Sequence, residues 1–422
     1  CVDQTGKLWV GTDKGDINVF EKGKRQTVFG KEGGDLNGSP VQASLCDSEG
    51  NLWFGLFNGG VYHYNKSTRK FRQLFPQDET IIDGRAFYED KDHVIWIGTH
   101  AGVYKADLSG RVSAKPCIEY EQVRSILRDE QGAFWIGTFG GGVLVYSSDF
   151  KLKKHFYTQE QFPSNTVSAI YMDRKKRIWV ATGEGLVCFP SSEEWHYKVY
   201  GHGEGLENTY IRAIAEDDSG NIWLSTNKGI SCYAAEKDSF YNYGRWDNVP
   251  IEGFMSNSVA KDLEGNIYMG SLDGLCRFNP NVVLAKRKSP LAIMTDIRIF
   301  APLSDRENDE EVLPLNRKTS VKLSYMQNNF SITFNTQNYA LANQVEYAYM
   351  LKGLENAWYT VTDPNNVTFR NIPPGNYCFQ VKTRIRNQEW SDEIASLDIH
   401  IDPPMWLTWW AKLFYILTGV AI

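Results

Sequence analysis

One repeat governs the first two thirds of the chain. Seven aromatic residues recur at separations of 39 to 45 residues, and each has an Asp six residues before it and a Gly six residues after it. A repeat of this length with four strand-like runs per unit predicts an all-β fold beginning with a seven-bladed β-propeller, one blade per repeat. The aromatic anchors are Trp9, Trp53, Trp96, Trp135, Trp179, Trp223 and Tyr268.

Each unit reads as four short strands joined by turns. In DDSGNIWLSTNKGI at 217–230, Asp217 opens an Asp-x-x-Gly turn, in which the Asp accepts backbone hydrogen bonds and the Gly takes a positive φ. An alternating strand carrying Trp223 follows, and Gly229 supplies the hairpin that starts the next strand. One unit is too small to bury its own faces. The strands, labelled A to D outward from the axis, therefore stack blade on blade.

Two adjacent positions of strand A, each compared across the repeats as a column, predict which side chains line the centre of the ring. Ten residues before the anchor, the side chains are small: Ala43, Ala86, Ser125, Ala169, Ala213 and Ser258. The column before it is polar: Gln42, Arg85, Arg124, Ser168, Arg212 and Asn257. Three arginines at a central mouth predict a site that grips a carboxylate or sulfate in bidentate geometry. The alternative is that each Arg pairs with a nearby acid or caps a strand end.

The B–C hairpins and D–A loops share the face opposite the A–B turns, and they vary between repeats. Exposed aromatic rings beside polar groups are typical of a sugar-binding cleft, although each such residue could instead serve packing. The candidates at the hairpin tips are Phe57, Asn58, His100, Phe139, Glu184, Asn227, Lys228 and Asp273. The loop before blade seven adds Arg245, Trp246 and Asp247.

Composition and spacing limit the other functions. The formal net charge of −6 gives no reason to expect nucleic-acid binding. Seven Cys without a CxxC or a His-flanked cluster predict no metal site, and no cofactor motif is present. The glycine-rich runs at 137–142 and 201–205 lie at hairpin and loop positions, not between a strand and a helix. No carboxylate pair stands out as catalytic, so a glycosidase or lyase is a secondary hypothesis, as is a protein-interaction platform.

The repeat ends near residue 285, and the remainder has a different pattern. Residues 286–404 contain seven short strand-like runs, which predict an immunoglobulin-like or fibronectin-like sandwich after the propeller at 1–285. Trp406 to Ile422 has Lys412 as its only charge and three Trp at its start. We therefore expect 405–422 to be the start of a transmembrane helix, with a terminal core helix as the alternative.

These segments resemble known families. The D-x-x-G-N-[LI]-W unit resembles the regulator-propeller repeat of bacterial two-component sensors. The runs VEYAYMLKGLENAWYTV, NIPPGNYCFQVKTR and IDPPMWLTWW closely resemble the Tyr-Tyr-Tyr domain that follows such propellers. In order, they cover nearly the whole chain and resemble the periplasmic sensor region of Bacteroidetes-type hybrid two-component systems.

That resemblance implies a function. It implies a homodimeric sensor, anchored in the inner membrane by its C-terminal helix, that binds glycan fragments and controls polysaccharide-utilisation genes. No catalytic residue is implied, because the kinase of the family lies beyond the residues that match. The ligand candidates remain Arg85, Arg124, Arg212, Phe57, Asn58, His100, Phe139, Arg245 and Trp246.

The repeats also depart from the family pattern. Leu56 replaces a Thr, Ala181 and Ser225 replace Gly, and Tyr268 replaces Trp, all of which are interpreted as scaffold variation. Blade one has only the end of its strand A, and blade seven shows no clear strand D. We expect the closing strand to come from sequence upstream of residue 1.

Overall fold

The structure is a computed structural model that divides into two compact units, Cys1–Leu284 and Ala285–Ile422. It describes all residues except 31–33, 35, 76–81, 121, 248, 250–252, 286–287, 301–309, 316–317, 339–340, 342–343, 362–364, 408 and 414–422. The side chains of Trp246 and Glu310 are also outside the description.

Among the described residues, the first unit contains seven antiparallel sheets, which confirms the seven-bladed propeller. Blades one to three comprise β1 Leu8–Gly11, β2 Ile17–Glu21, β3 Lys24–Phe29, β4 Val41–Cys46, β5 Leu52–Leu56, β6 Gly60–Asn65, β7 Lys70–Leu74, β8 Gly84–Glu89, β9 Ile95–Thr99 and β10 Val103–Ala106. Blades four and five comprise β11 Val123–Arg128, β12 Phe134–Thr138, β13 Val143–Tyr146, β14 Leu152–Phe156, β15 Val167–Met172, β16 Ile178–Thr182, β17 Gly185–Phe189 and β18 Lys198–Tyr200. Blades six and seven comprise β19 Ile211–Glu216, β20 Ile222–Thr226, β21 Gly229–Ala234, β22 Ser239–Tyr243, β23 Phe254–Lys261, β24 Ile267–Ser271 and β25 Gly274–Phe278.

The A strands form the inner ring. Strands β4, β8, β11, β15, β19 and β23 neighbour one another in that order, as expected for strands nearest the axis. Blade one has an isolated bridge between Val2 and Leu8 in place of a full strand A. Blade seven has three described strands and is followed by the short helix α1 Pro280–Val283. A cavity of about 130 Å³ lies where these two blades meet, lined by residues that include Gly11, Val41 and Gly270.

A carboxylate ties the A–B turn to the core of every blade. In blade four, Oδ1 of Asp129 accepts from the amide of Ala133 at 2.8 Å, while Oδ2 accepts from the indole of Trp135 at 2.9 Å. The corresponding indole bonds of blades one, two, three, five and six are 2.8 to 3.0 Å long. In blade seven the Tyr268 hydroxyl donates to Asp262 at 3.0 Å, so the Tyr preserves the contact.

The residue two positions after the anchor has a small side chain or none, because strand B of one blade nearly touches strand A of the next blade at this point. A Cβ on Gly55 would lie 2.1 Å from the carbonyl oxygen of Gly84 in the next inner strand. On Gly137 it would lie 2.6 Å from Cγ1 of Val167, again in the next blade. This column therefore sets the approach of each strand B to the following strand A.

The second unit is a sandwich of two sheets, in the orders β27-β26-β29-β32 and β28-β34-β33-β30-β31. Its strands are β26 Ala292–Phe300, β27 Glu310–Pro314, β28 Ser320–Leu323, β29 Phe330–Thr336, β30 Val345–Lys352, β31 Tyr359–Val361, β32 Asn366–Phe369, β33 Gly375–Ile385 and β34 Ile394–Ile401. Strand β33 alternates buried and partly buried residues, and Phe379 packs on Phe334 of the opposite sheet. Sheet-on-sheet packing of alternating strands is the arrangement that the sequence predicted.

Little of the predicted membrane segment is described. Met405–Leu407 form a 3₁₀ turn and 409–413 are helical, whereas 414–422 lie outside the described residues. Within the described part of the chain, no helix is long and apolar enough to span a bilayer. All seven cysteines are free thiols, and Cys188 and Cys232 are buried.

Candidate functional site

A β-bulge interrupts the inner strands of blades two to six at one shared position. In blade four, Val123 pairs with Thr138 and Ser125 with Gly137, which leaves Arg124 as the extra residue. We call the five bulged residues the bulge ring: Gln42, Arg85, Arg124, Ser168 and Arg212. A bulge redirects the side chain of its extra residue. The polar column of the sequence is therefore a set of redirected side chains at the ends of the inner strands, next to the B–C hairpins.

Arg85 is neutralised within the protein. Its Nε and Nη2 donate to Oδ2 of Asp83 at 3.1 and 3.0 Å, and Nη1 donates to Oε1 of Gln122. The Asp83 side chain is only 2% exposed, and its other oxygen faces Nδ1 of His100, from a B–C hairpin. For Arg85, the interpretation that an arginine pairs with a nearby acid is therefore correct.

Arg124 has no hydrogen-bond acceptor and no acid partner among the described residues. Its guanidinium carbon lies 5.5 Å from the centre of the Phe139 ring. Burial, and next the charge of Arg85, lower the pKa of Arg124 from its ordinary value. The partly buried guanidinium thus carries a positive charge with no acid in contact among the described residues, although Asp83 acts on it from a distance.

Phe139 is held in place by its backbone, not by burial. Its amide donates to the carbonyl of Gln122 at 3.1 Å, and the residue bridges to Thr166 of the next blade. The side chain remains 55% exposed. The backbone of Phe139 is thus held on both sides, and its exposed ring is available for stacking.

Arg212 is bonded to neutral groups. Its Nε donates to Oδ1 of Asn227 at 2.8 Å and its Nη1 to Oγ of Ser256 at 3.2 Å, while the guanidinium lies 4.3 Å from the Tyr210 ring centre. The charge of Arg212 therefore has no acid opposite it in these contacts.

The other predicted residues have separate positions. Phe57 is 42% exposed and Asn58 has a φ of 49° at the tip of the blade-two hairpin, with no described contact to the arginines. Arg245 is exposed in a 3₁₀ turn, Arg245–Asp247, and the side chain of Trp246 lies outside the description. The structure thus brings together Arg85, His100, Arg124 and Phe139, and it places Arg212 at the equivalent bulge of blade six.

Four site residues were not predicted from the sequence: Asp83, Gln122, Tyr210 and Ser256. Asp83, Gln122 and Tyr210 each stand two residues before a bulge-ring arginine, a spacing that could have identified all three. Within the described ranges, no group of three or more His, Cys, Asp or Glu side chains could hold a metal ion. The chemistry offered by the mouth is hydrogen-bond donation, positive charge and stacking.

Comparisons with known proteins match both units. The model of the two component regulator propeller matches residues 118–140, 161–184 and 205–228, and that of the Y_Y_Y domain matches 338–402. Histidine kinase P4 of Formosa agariphila is 25% identical over 97% of this chain and 31% of its own length. The chain thus spans about a third of that curated relative.

Solved structures give the same picture. The extracellular domain of the hybrid two component system BT3049 from B. thetaiotaomicron has a TM-score of 0.87 and 50% identity, over 96% of this chain and 55% of its own. The corresponding domain of BT4673 has a TM-score of 0.56 and 20% identity over 98% and 57%, and shares the fold. A streptogramin B lyase, 13% identical with a TM-score of 0.51 over 65% and 90%, also shares only the fold. The chain therefore contains two component regulator propeller repeats within 118–228 and a Y_Y_Y domain at 338–402, and along almost its whole length it is similar to the extracellular domain of a hybrid two component system.

Proposed function

We propose that the chain is the ligand-sensing region of a hybrid two-component sensor and that it lies in the periplasm. Its similarity to the extracellular domain of BT3049 over 96% of its length supports the sensor assignment. We further propose that the ligand is an oligosaccharide and that the parent protein controls polysaccharide-utilisation genes. The ligand site in this unit is the propeller mouth around the bulge ring.

One observation supports the choice of site: the guanidinium of Arg124, which has no acceptor among the described residues, lies over the ring of Phe139, which is 55% exposed. The face of a pyranose stacks on an aromatic ring, and its hydroxyls need hydrogen-bond partners. Arg124 offers donors that no described residue uses, and Arg212 stands at the equivalent bulge of blade six, against the Tyr210 ring. These are the components of a sugar-recognition surface.

Signal transfer requires a second arrangement of the protein. A ligand shifts an equilibrium only by its difference in affinity for two states. We propose that the sensor is a homodimer whose paired sandwich units change their packing when ligand binds. The segment at 405–422 would then carry the change through the inner membrane.

Calorimetry of the purified chain against neutral, uronic and sulfated oligosaccharides tests this proposal. We expect saturable binding with the ligand recovered intact by chromatography. Shortened ligand would indicate a glycosidase or lyase instead. Absence of binding across the panel would favour a protein-interaction platform and would contradict the glycan proposal.

A further inference from the structure

We infer that Arg124 is the anchor of an oxyanion-binding subsite, and that the glycan recognised at the mouth is acidic. The ligand group is a carboxylate, as in a uronate, or a sulfate ester. This inference rests on the proposed site, and it adds the charge of the ligand and the residue that reads it.

The three arginines of the mouth differ in how many of their N–H donors remain without an acceptor. Arg85 is occupied by a buried carboxylate, and Arg212 is occupied by an amide and a hydroxyl. A guanidinium has five N–H donors in a planar fork that matches carboxylate and sulfate. Of the three, Arg124 alone has this fork free of described acceptors, and it is only half buried.

The fold does not need an arginine at this place. The same bulge forms in blade two with Gln42 and in blade five with Ser168. The bulge therefore does not depend on an arginine, and the Arg124 side chain makes no hydrogen bond to the parts of the chain that the structure describes. Burying an unpaired charge costs free energy, so a scaffold role gives no reason for this residue.

The contacts of the bulge-ring arginines favour an anion. Asp83 pairs with Arg85, whereas Arg124 and Arg212 have no acid in contact among the described residues. Burial and the neighbouring Arg85 disfavour the charged form of Arg124, as the direction of its pKa shift shows. A bound oxyanion relieves both effects, because it supplies the opposite charge and accepts the free donors.

Phe139 explains why the anion would belong to a sugar. Its exposed ring lies beside the guanidinium, at 5.5 Å between ring centre and Arg124 carbon. In a uronate the carboxylate is a direct substituent of the pyranose. One residue of the ligand can then stack on Phe139 while its carboxylate meets Arg124.

The test uses ligand pairs that differ only in charge. Calorimetry would compare oligouronates with their methyl esters, sulfated oligosaccharides with their desulfated counterparts, and inorganic sulfate alone. The proteins are the full chain, Arg124→Gln, and Arg111→Ala as a control that removes an 83% exposed arginine from the C–D turn on the opposite face. The melting temperature of each variant confirms folding.

We expect at least one acidic ligand to bind about tenfold or more tightly than its neutral partner. Arg124→Gln should abolish that preference and Arg111→Ala should retain it. The uronate and sulfate pairs identify which oxyanion is recognised.

Equal affinity for charged and neutral partners would overturn the oxyanion inference while leaving the glycan proposal standing. If inorganic sulfate binds in an Arg124-dependent way and no oligosaccharide binds, the result would support the subsite but contradict the glycan proposal. If none of the probes binds, both the oxyanion inference and the glycan proposal are contradicted.

Discussion

The indole nitrogen of Trp135 donates a 2.9 Å hydrogen bond to Oδ2 of Asp129, six residues earlier in the chain. The other oxygen of the same carboxylate receives a backbone amide of the A–B turn. One buried side chain thus connects the turn outside the blade with the aromatic core inside it. The equivalent pair occurs in all seven repeats.

Asp129→Ala should destabilise the propeller strongly, because it leaves the buried Trp135 indole without an acceptor and removes the bond to the turn. We expect a loss of about 3 kcal/mol in the free energy of unfolding. Scanning calorimetry of the propeller transition measures this change. Asp149→Ala is the control, since Asp149 is 58% exposed and pairs with Lys151 at the surface. Equal effects of the two substitutions would contradict the role given to the carboxylate.

Gly55→Ala should lower stability by about 1–3 kcal/mol, the usual cost of overpacking. The new methyl group would meet a backbone carbonyl of the next blade at 2.1 Å, and backbone cannot rotate away. Gly203→Ala is the matched control, because no heavy atom lies within 4 Å of its Cβ position. Denaturant titration would show the difference, and a neutral Gly55→Ala would mean that the blades can separate without penalty.

Arg85 and Arg124 occupy equivalent bulges, yet their replacement should affect stability differently. Arg85→Gln leaves Asp83 buried with a weaker partner, which we expect to cost about 3 kcal/mol. Arg124→Gln should leave the melting temperature unchanged or raise it, because the native charge has no acid in contact among the described residues and lies only over the Phe139 ring. Thermal unfolding of both variants under identical buffer conditions compares them. A large loss of stability in Arg124→Gln would show that Arg124 is structural.

Acid should weaken the propeller through the turn carboxylates. Burial opposes ionisation of Asp90, but hydrogen bonds from Trp96, Val94 and Arg128 outweigh it and hold the pKa of Asp90 below its ordinary value. A carboxyl whose folded-state pKa is depressed contributes stability that is present above its unfolded pKa, about 4, and is lost as the pH falls through the folded value. The pKa values of Asp3 and Asp262 are lowered too.

Melting temperatures measured between pH 7 and pH 3 should therefore fall most steeply below about pH 4. Asp90→Asn should start from a lower stability and lose less over the same interval. An identical pH profile for the variant and the wild type would exclude Asp90 as a contributor.

The columns of the sequence predicted the scaffold because each column has one physical cause that acts in every blade. The turn carboxylate, the anchor and the glycine two residues after it are examples. The positive φ of the turn was a partial exception, since His93 and Lys176 adopt it in blades three and five. The bulge could not be predicted, because a register shift leaves no mark on residue identity. For the same reason, the sequence placed Arg85 and Arg124 in one column but could not distinguish a paired arginine from an unpaired one.

The bulge forms with glutamine, arginine or serine, so the residue at that point is free to vary without disturbing the strand. At Arg124 the chemistry of the mouth can therefore change without altering the strand, whereas at Arg85 the buried Asp83 limits such change. If the ligand is the one that we propose, single substitutions at the unpaired positions of the ring could exchange one anionic ligand for another, or for a neutral one. Relatives with the same scaffold are then expected to differ in ligand, and overall identity would be a poor guide to what each one senses.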